Sequence, residues 1–463
     1  MDYTLFKIEE LIQYIKECLS ADMGRKQQMR ESLRYYEGKH DILNKERLMI
    51  GKKGKVQRIH NLPNSRIVDN QYGAAVDKKV AYLFSKAPVV RCKQDKEYQK
   101  DIQNLYTMKF LRTLSKIALE SYLCGISWLY LSANGDRLMY QKMDAEEITP
   151  IWADKNHESL SALIRSYSVS EFAGGKGKEV QRVDFYTEKE IYLFEVKNDA
   201  YQLLKKESYI KKGDKYYSFG KIPFIYFKSN SKETILLSRC KSLQDGINTI
   251  LSNFQDNMLE DKRNTILVIT NYDGQDLGEF RANLAQYGAV KVRSEEKMKG
   301  GVETLEITVN AENYKAILEI LKQKLIENVR SIDLKSDRTT KAPNELNIKA
   351  MYAEMELDAN ATELEYQASL EHLEWFYRKV KNLQPEDLTS AVTFRRNIMV
   401  NEESLVSMIT ASKGLVSKET LLSYHPLVED VEEELERLRA EAAAEEADGY
   451  NPFIPEKGAA DDE

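Results

Sequence analysis

Leu5, Ile8, Ile12, Ile15 and Leu19 recur at steps of three and four, which places them on one face of an N-terminal helix. A loop of Gly and Lys (Gly51 to Lys55) follows. A second helical pattern runs from about Val68 to Phe84 and is ended by Pro88. A third, from about Glu97 to Leu123, carries Leu105, Met108, Leu111, Leu114 and Ile117. From Ile126 to Phe227 the period shortens to that of strands. The run ISWLYLSANGDRLMYQKM sets Asn134-Gly135 between two apolar runs, a hairpin signal. VDFYTEKEIYLFEV reads as a strand pair around a polar turn, and KIPFIYFKSN as a further strand. AGGKGK (Ala173 to Lys178) reads as an exposed turn, since the spacing and the Ser/Thr of a phosphate-binding loop are missing.

The second half is dominated by long helices. One covers roughly Ser238 to Glu260, about 35 Å at the helical rise, with Leu243, Ile247, Ile250, Phe254 and Met258 as its stripe. Another spans about Ala311 to Ile332. Its Ile317, Leu318, Ile320, Leu321, Leu325, Ile326, Val329 and Ile332 cover more than one face. Such a helix is buried on several sides, in one large core or between neighbouring subunits. Between the two lies a small α/β insertion: NTILVIT as a strand, LGEFRANLAQYG as a short helix, GAVKVRS and ETLEITV as strands. A unit of about 45 residues is marginal alone and is expected to pack against copies of itself or a partner. Asp333 to Asn344 has no periodicity and holds Lys335, Arg338, Lys341 and Pro343. A very long helix is then expected from about Glu345 to Leu383, followed by the strand-like VTFRRNIMV and short helices over EESLVSMITAS and KETLLSYHP. Val428, Val431, Leu435 and Leu438 mark a last helix that fades into a tail read as disordered.

A length of 463 residues suggests roughly three domains of about 150 residues. The net charge of -6 argues against a protein that coats nucleic acid non-specifically, although the acidic stretch Glu429 to Glu446 leaves the remainder nearer neutral. Cys18, Cys92, Cys124 and Cys240 are scattered without metal-ligand spacing, as in a reducing compartment. The N-terminus lacks the apolar region of a signal peptide, and no run approaches the roughly 20 apolar residues of a membrane span. A soluble intracellular chain, with no membrane association, is expected.

Catalytic chemistry finds little purchase. His40, His60, His157, His372 and His425 are far apart and outside metal-binding motifs, so structural or surface roles are expected. Glu146-Glu147 and Glu295-Glu296 read as solvated charge pairs, since no nucleophile accompanies them. The expectation is a non-enzyme with no cofactor, no metal and no catalytic residue. Lys335, Arg338 and Lys341 admit two readings, a solvent-exposed loop or a polyanion contact made at phosphates. The acidic C-terminal helix likewise reads as a solvated or assembly face, or as one that repels DNA.

Several strings together resemble the SPP1-type family of tailed-bacteriophage portal proteins. They are YYEGKHDIL (Tyr35 to Leu43), IVDNQYGAAVDKKVAYLFSKAP (Ile67 to Pro88), FGKIPFIYFKSN (Phe219 to Asn230), LSRCKSLQDGINTILSNFQDNMLED, PNELNIKAMYAEMELDANATELE and GLVSKETLL (Gly414 to Leu422). The resemblance covers about residues 30 to 440, and its specificity lies in the order and spacing of the strings.

The resemblance implies an α+β, predominantly helical portal fold with wing, stem helices, small α/β clip and helical crown. Residues 1–237 look like the wing, 238–262 the first stem helix, 263–309 the clip and 310–332 the second stem helix. Residues 333–344 look like the tunnel loop, 345–388 a long helix returning to the wing, 389–446 the crown and 447–463 a disordered tail. Where many relatives follow the tunnel loop with a Ser-Gly pair, this chain has Pro343-Asn344-Glu345.

The implied function is a ring of about a dozen subunits at one capsid vertex, a dodecamer in the simplest case. It would be a channel for packaging and ejecting double-stranded DNA, and a nucleator of procapsid assembly. Implied partners are further copies of the chain, the terminase large subunit, head-completion or connector proteins, and the major capsid and scaffolding proteins. The implied location is the virion, after assembly in the bacterial host cytoplasm. Implied site residues are Lys335, Arg338 and Lys341 at DNA and Lys291, Arg293, Lys297 and Lys299 at the clip's partners. Ile247, Phe254, Ile317, Leu321, Leu325 and Val329 are implied between stem subunits. Alternatives are a packaging enzyme (terminase or nuclease), or a minor head or adaptor protein without a channel.

Overall fold

A computed structural model describes residues 3–50, 56–58, 62–92, 95–173, 176–212, 215–261, 266–270, 301–305, 311–333, 345–383, 390–397, 402–428 and 431–449. The chain divides into one unit of residues 1–333 with 354–397 and a second of residues 334–353 with 398–463.

The first unit opens with α1 (Ile8–Ala21) and α2 (Met23–Tyr36). Only the first was anticipated, and Leu5 lies before it, in a helical turn where its side chain is exposed. The β-hairpin β1 (Leu48–Ile50) and β2 (Val56–Arg58) precedes α3 (Gln71–Phe84) and β3 (Val89–Arg91). The single helix expected over 97–123 is two, α4 (Lys96–Gln103) and α5 (Met108–Cys124). The break has a local cause: Thr107 caps the second helix, its Oγ1 accepting from the Phe110 amide at 3.3 Å. Asp95 likewise caps the first.

Antiparallel strands follow, β4 (Ile126–Asn134), β5 (Arg137–Met143), β6 (Ile148–Trp152), β7 (Leu160–Ala173), β8 (Lys176–Tyr186), β9 (Ile191–Lys197), β10 (Ala200–Glu207), β11 (Ile210–Lys212), β12 (Lys215–Tyr217) and β13 (Phe224–Lys228). Asn134 pairs with Arg137, so the first hairpin turns on Gly135-Asp136, one residue later than expected. Gly125 joins α5 to β4 at φ +80, where a Cβ would lie 2.1 Å from the Glu233 carbonyl oxygen; only glycine fits.

Strands β10-β9-β8-β7-β6 form a five-stranded meander, and β13-β4-β5 a separate three-stranded sheet. Alternate residues of the meander, Ala162 and Ile164, Val183 and Phe185, Tyr192 and Phe194, share one buried cluster with Tyr3, Leu11 and Ile15. Helix α1 therefore roofs one sheet face, and the strand period of two meets the helix period.

The chain continues through α6 (Lys241–Asp261), the antiparallel pair β14 (Ile266–Thr270) and β15 (Gly301–Leu305), α7 (Ala311–Asn328) and α8 (Glu345–Lys381). The Tyr366 ring on α8 lies tilted against Phe227 and Phe84, and its hydroxyl shares a 2.8 Å hydrogen bond with Ser121. These contacts seat α8 on α3, α5 and the three-stranded sheet. Among the described residues of VTFRRNIMV, Val392 and Thr393 belong to a strand, β16 (Ala391–Thr393), paired with β3, and 394–397 do not.

In the second unit lie α9 (Glu402–Ala411), α10 (Lys418–Ser423) and α11 (Val431–Gly449). The last helix extends through residues read in the sequence as the start of a disordered tail. No described side chain from 406 to 444 is fully buried, while Leu415, Tyr424 and Leu427 are exposed.

The candidate stem and its root

Helices α6 and α7 run antiparallel. Asn328 donates to the Arg239 carbonyl at 3.3 Å, Gly246 faces Leu321, and the Phe254 and Tyr314 rings lie 5.1 Å apart. Asn257 Nδ2 donates to the Tyr314 hydroxyl at 2.9 Å. With 21 residues in the first helix, the pair is about 30 Å long. Gly246 lets the Leu321 side chain approach its backbone. Leu325 of α7, Val329 just past its end and Ile247 of α6 are buried within the chain itself. Phe254 and Leu321 are half-buried. Ile317, Ile320, Met258 and Leu259 are about half exposed. The wide apolar arc is thus only partly covered inside one chain, with Leu325 the one buried residue of α7.

A polar row on α6 went unread in the sequence. Gln244, Asn248, Ser252 and Asp256 follow at strict four-residue spacing, and all are buried. Each receives a backbone amide, three from the segment before α3 and the fourth from Tyr72 in its first turn. Ser65 donates to Asp256 Oδ1 (2.6 Å), Ile67 to Ser252 Oγ (3.0 Å), Asp69 to Asn248 Oδ1 (3.0 Å) and Tyr72 to Gln244 Oε1 (3.0 Å). The match is metric. From Ser65 to Asp69 each two-residue step of extended chain advances about 6.6 Å, against about 6 Å for four residues of helix, and the last step, of three residues, enters α3. Gln244 Nε2 returns a bond to the Asp69 carbonyl at 2.7 Å, and Lys322 on α7 takes the Asp69 carboxylate at 2.8 Å. One strap thereby touches both helices. Burial would raise the Asp256 carboxyl, but the Ser65 and Lys45 hydrogen bonds outweigh it and hold it below the ordinary value. The four-residue polar spacing was the available signal.

His40 completes this layer. Its Nε2 bonds the Tyr35 carbonyl at 2.8 Å, and its Nδ1 meets Asn248 Nδ2 at 2.7 Å. The ring is therefore neutral, with the proton on Nε2, and burial lowers its pKa.

At the root of the stem a second cluster joins distant segments. Lys79 on α3 donates to Asp358 on α8 at 2.8 Å and to the Arg330 carbonyl at 3.2 Å. Lys78 donates to the Ile332 carbonyl at 2.8 Å. Both lysines thus satisfy carbonyls just past the C-terminus of α7, where cations are favoured. Asp358 also faces Arg239 at 3.4 Å and Arg330 at 3.6 Å. Burial pushes its carboxyl up, yet Lys79 and Arg239 more than offset this and leave it below the ordinary value; burial pushes the Lys79 amine down.

The turn that ends α7 has Ser331 N bonding the Ile326 carbonyl and Arg330 N the Glu327 carbonyl, with Arg330 at φ +49. Glycine is the usual residue at this left-handed position, and a side chain there costs about 1 kcal/mol. The Arg330 side chain is half exposed, and at 3.6 Å its ion pair is worth at most about 1 kcal/mol.

Other candidates remain apart. Glu147 pairs with Arg165 and Glu146 lies near Arg30. His157 pairs with Glu233, and the His372 ring lies tilted against Phe376. Among the described residues, no three His, Cys, Asp or Glu side chains gather as a metal site. No helix there is long and apolar enough to cross a membrane. His60, Lys335, Arg338, Lys341, Lys291, Arg293, Lys297, Lys299 and Glu295-Glu296 lie outside the described residues.

Comparison with known proteins adds the family. The profile described as "Phage portal protein, SPP1 Gp6-like" matches residues 15–448. The portal protein of Clostridium phage phiCD119 is 28% identical over 473 residues, covering 96% of this chain and 99% of the relative. The portal protein of Bacillus phage SPP1 is 26% identical over 426 residues, covering 89% of this chain and 83% of the relative. With almost the whole chain matched, and mixed helical and sheet architecture as the strings implied, this chain belongs to the SPP1-type family of phage portal proteins.

Proposed function

We propose that this portal chain works as one subunit of a closed ring of about a dozen copies at a single capsid vertex. Double-stranded DNA would pass along the ring axis during packaging and leave by the same path. The observation that carries this reading is the pair of antiparallel helices with Ile317, Ile320, Met258 and Leu259 left in water on a chain of the portal family. A ring would cover those side chains with the next copy, because burying apolar surface is the main drive for association.

In this reading α6 and α7 are the stem, with Ile317 toward the neighbouring subunit and Phe254 and Leu321, half-buried between the two helices, at the edge of that contact. Ile247, Leu325 and Val329 support the helices from within the chain. Residues 263–309 form the clip, where Lys291, Arg293, Lys297 and Lys299 would meet the terminase large subunit and later the connector. Residues 333–344 form the tunnel loop, with Lys335, Arg338 and Lys341 near DNA. Residues 1–237 with 345–388 make the wing, and 389–446 the crown. Major capsid and scaffolding proteins would surround the ring as the procapsid nucleates in the host cytoplasm. The chain has the role of a conduit, and the ATP-hydrolysing work belongs to the docked motor.

Electron microscopy of the purified protein tests the reading. Rings with a central hole support it, and a clean monomer under all assembly conditions overturns it.

A further inference from the structure

The end of α7 keeps an arginine where the backbone favours glycine. Arg330 stands at φ +49, and its carbonyl, not its side chain, receives Lys79. Its side-chain partner among the described residues, Asp358, is already held by Lys79 at 2.8 Å and by Arg239 at 3.4 Å. At 3.6 Å and half exposed, the Arg330 contact at best matches the cost of the left-handed backbone and leaves no net gain from placing an arginine there. A left-handed arginine with no net structural gain points to use of the side chain elsewhere.

Charge at the helix end points the same way. Lys78, Lys79, Arg239 and Arg330 gather there against Asp358, with Asp333 next along the chain. After Lys79 and Asp358 neutralise one another, a positive excess remains in a chain of net charge -6. The arginine side chains are 32% and 50% exposed, whereas Lys79 is buried and Lys78 is turned to the Ile332 carbonyl. A planar guanidinium suits the bidentate geometry of a phosphate.

We propose that Arg330, with Arg239 beside it, contacts the phosphate backbone of double-stranded DNA at the root of the stem; this rests on the channel reading above. Repetition around the ring turns a modest pair into a belt. Phosphate contacts of this kind carry no sequence preference, as a conduit for a whole genome requires. The belt lies on the described helix end and is separate from Lys335, Arg338 and Lys341.

The test uses full-length rings, linear double-stranded DNA and a series of salt concentrations, with thermal melting of the same rings. Arg330→Gly relieves the backbone and removes the charge, so the rings should melt no earlier than wild type. Their DNA affinity should fall by on the order of tenfold near 0.1 M salt in the Arg330→Gly/Arg239→Gln pair, with a shallower salt slope. Unchanged affinity and slope in the pair overturn the proposal. So does earlier melting or lost assembly of Arg330→Gly with DNA binding intact, which would assign Arg330 to a carboxylate of a neighbouring copy. If melting and DNA binding both fall, Arg239→Gln, which leaves the strained turn alone, decides by whether affinity drops. Absence of rings in the wild type would remove the channel reading as well, whereas rings that bind DNA and ignore both substitutions remove this inference alone.

Discussion

The ammonium of Lys79 lies 2.8 Å from Asp358 Oδ2, with the lysine side chain almost wholly out of water, so a buried ion pair joins α3 to α8 at the root of the stem. Removing one partner of such a pair strands the other charge. Asp358→Leu, which strands the buried Lys79 ammonium, should therefore destabilise the protein by about 3–5 kcal/mol. Replacing both groups, as Lys79→Met with Asp358→Leu, should cost much less. Denaturant titrations of the four proteins of this cycle check both statements. Acid should act through the same group. The Asp358 carboxyl is held below its ordinary value, so its contribution is present above the ordinary carboxylate range and is lost as pH falls through the folded value.

The strap before α3 yields a local prediction. Ser252→Ala leaves the Ile67 amide without its acceptor in a half-buried setting, at a cost of about 1–3 kcal/mol. Hydrogen exchange should show lost protection first at Ile67, while amides of the five-stranded sheet keep theirs. Equal loss in both places would mean that the strap does not open by itself.

Histidine titration predicts weakening in mild acid. Burial pushes His372 down to about 4, with Lys221 adding repulsion. Unfolded chains take up the proton near the ordinary value of about 6.5. Stability should therefore fall as pH drops from about 6.5 towards 4 and level off below. In His372→Gln that part of the decline should disappear, seen as a smaller difference in denaturation midpoint between pH 7 and pH 5. His40 shifts in the same direction and supplies a residual slope.

The two sides of α7 should respond differently to substitution. Leu325→Ala removes a fully buried side chain and should cost the single chain about 2–5 kcal/mol. Ile317→Asp and Ile320→Asp touch half-exposed positions and should leave the folded chain within about 0.5 kcal/mol of wild type. If the exposed side faces another subunit, the aspartates should abolish ring assembly, seen as slower sedimentation. Intact rings in both variants would remove this side from the subunit interface.

Much of the fold could be read from local pattern. The strands of the meander alternate because one face is buried, and the hairpin at residues 134–137 shows its turn chemistry. The long helices were visible as extended runs of helical periodicity. Their ends were less so, because Thr107 and Asp95 act through single capping bonds that periodicity does not register. Helix α2 was missed since its apolar stripe is thin; Lys26 and Ser32 occupy buried positions beside Met29 and Tyr35. For the stem, a helical wheel displayed the whole apolar arc of α7 and could not divide it into the part that meets α6 and the part left in water.

The sequence by itself determined the periodicities, the absence of catalytic spacing and, through strings of residues in order, the portal family. Tertiary structure alone decided that Gln244, Asn248, Ser252 and Asp256 hold a strap, and that Lys79 finds Asp358 across a sequence separation of 279 residues. The physical reason is range. Periodicity and capping arise from neighbours within a turn or two of chain, whereas a buried polar group is satisfied by whichever partner the folded path brings within about 3 Å.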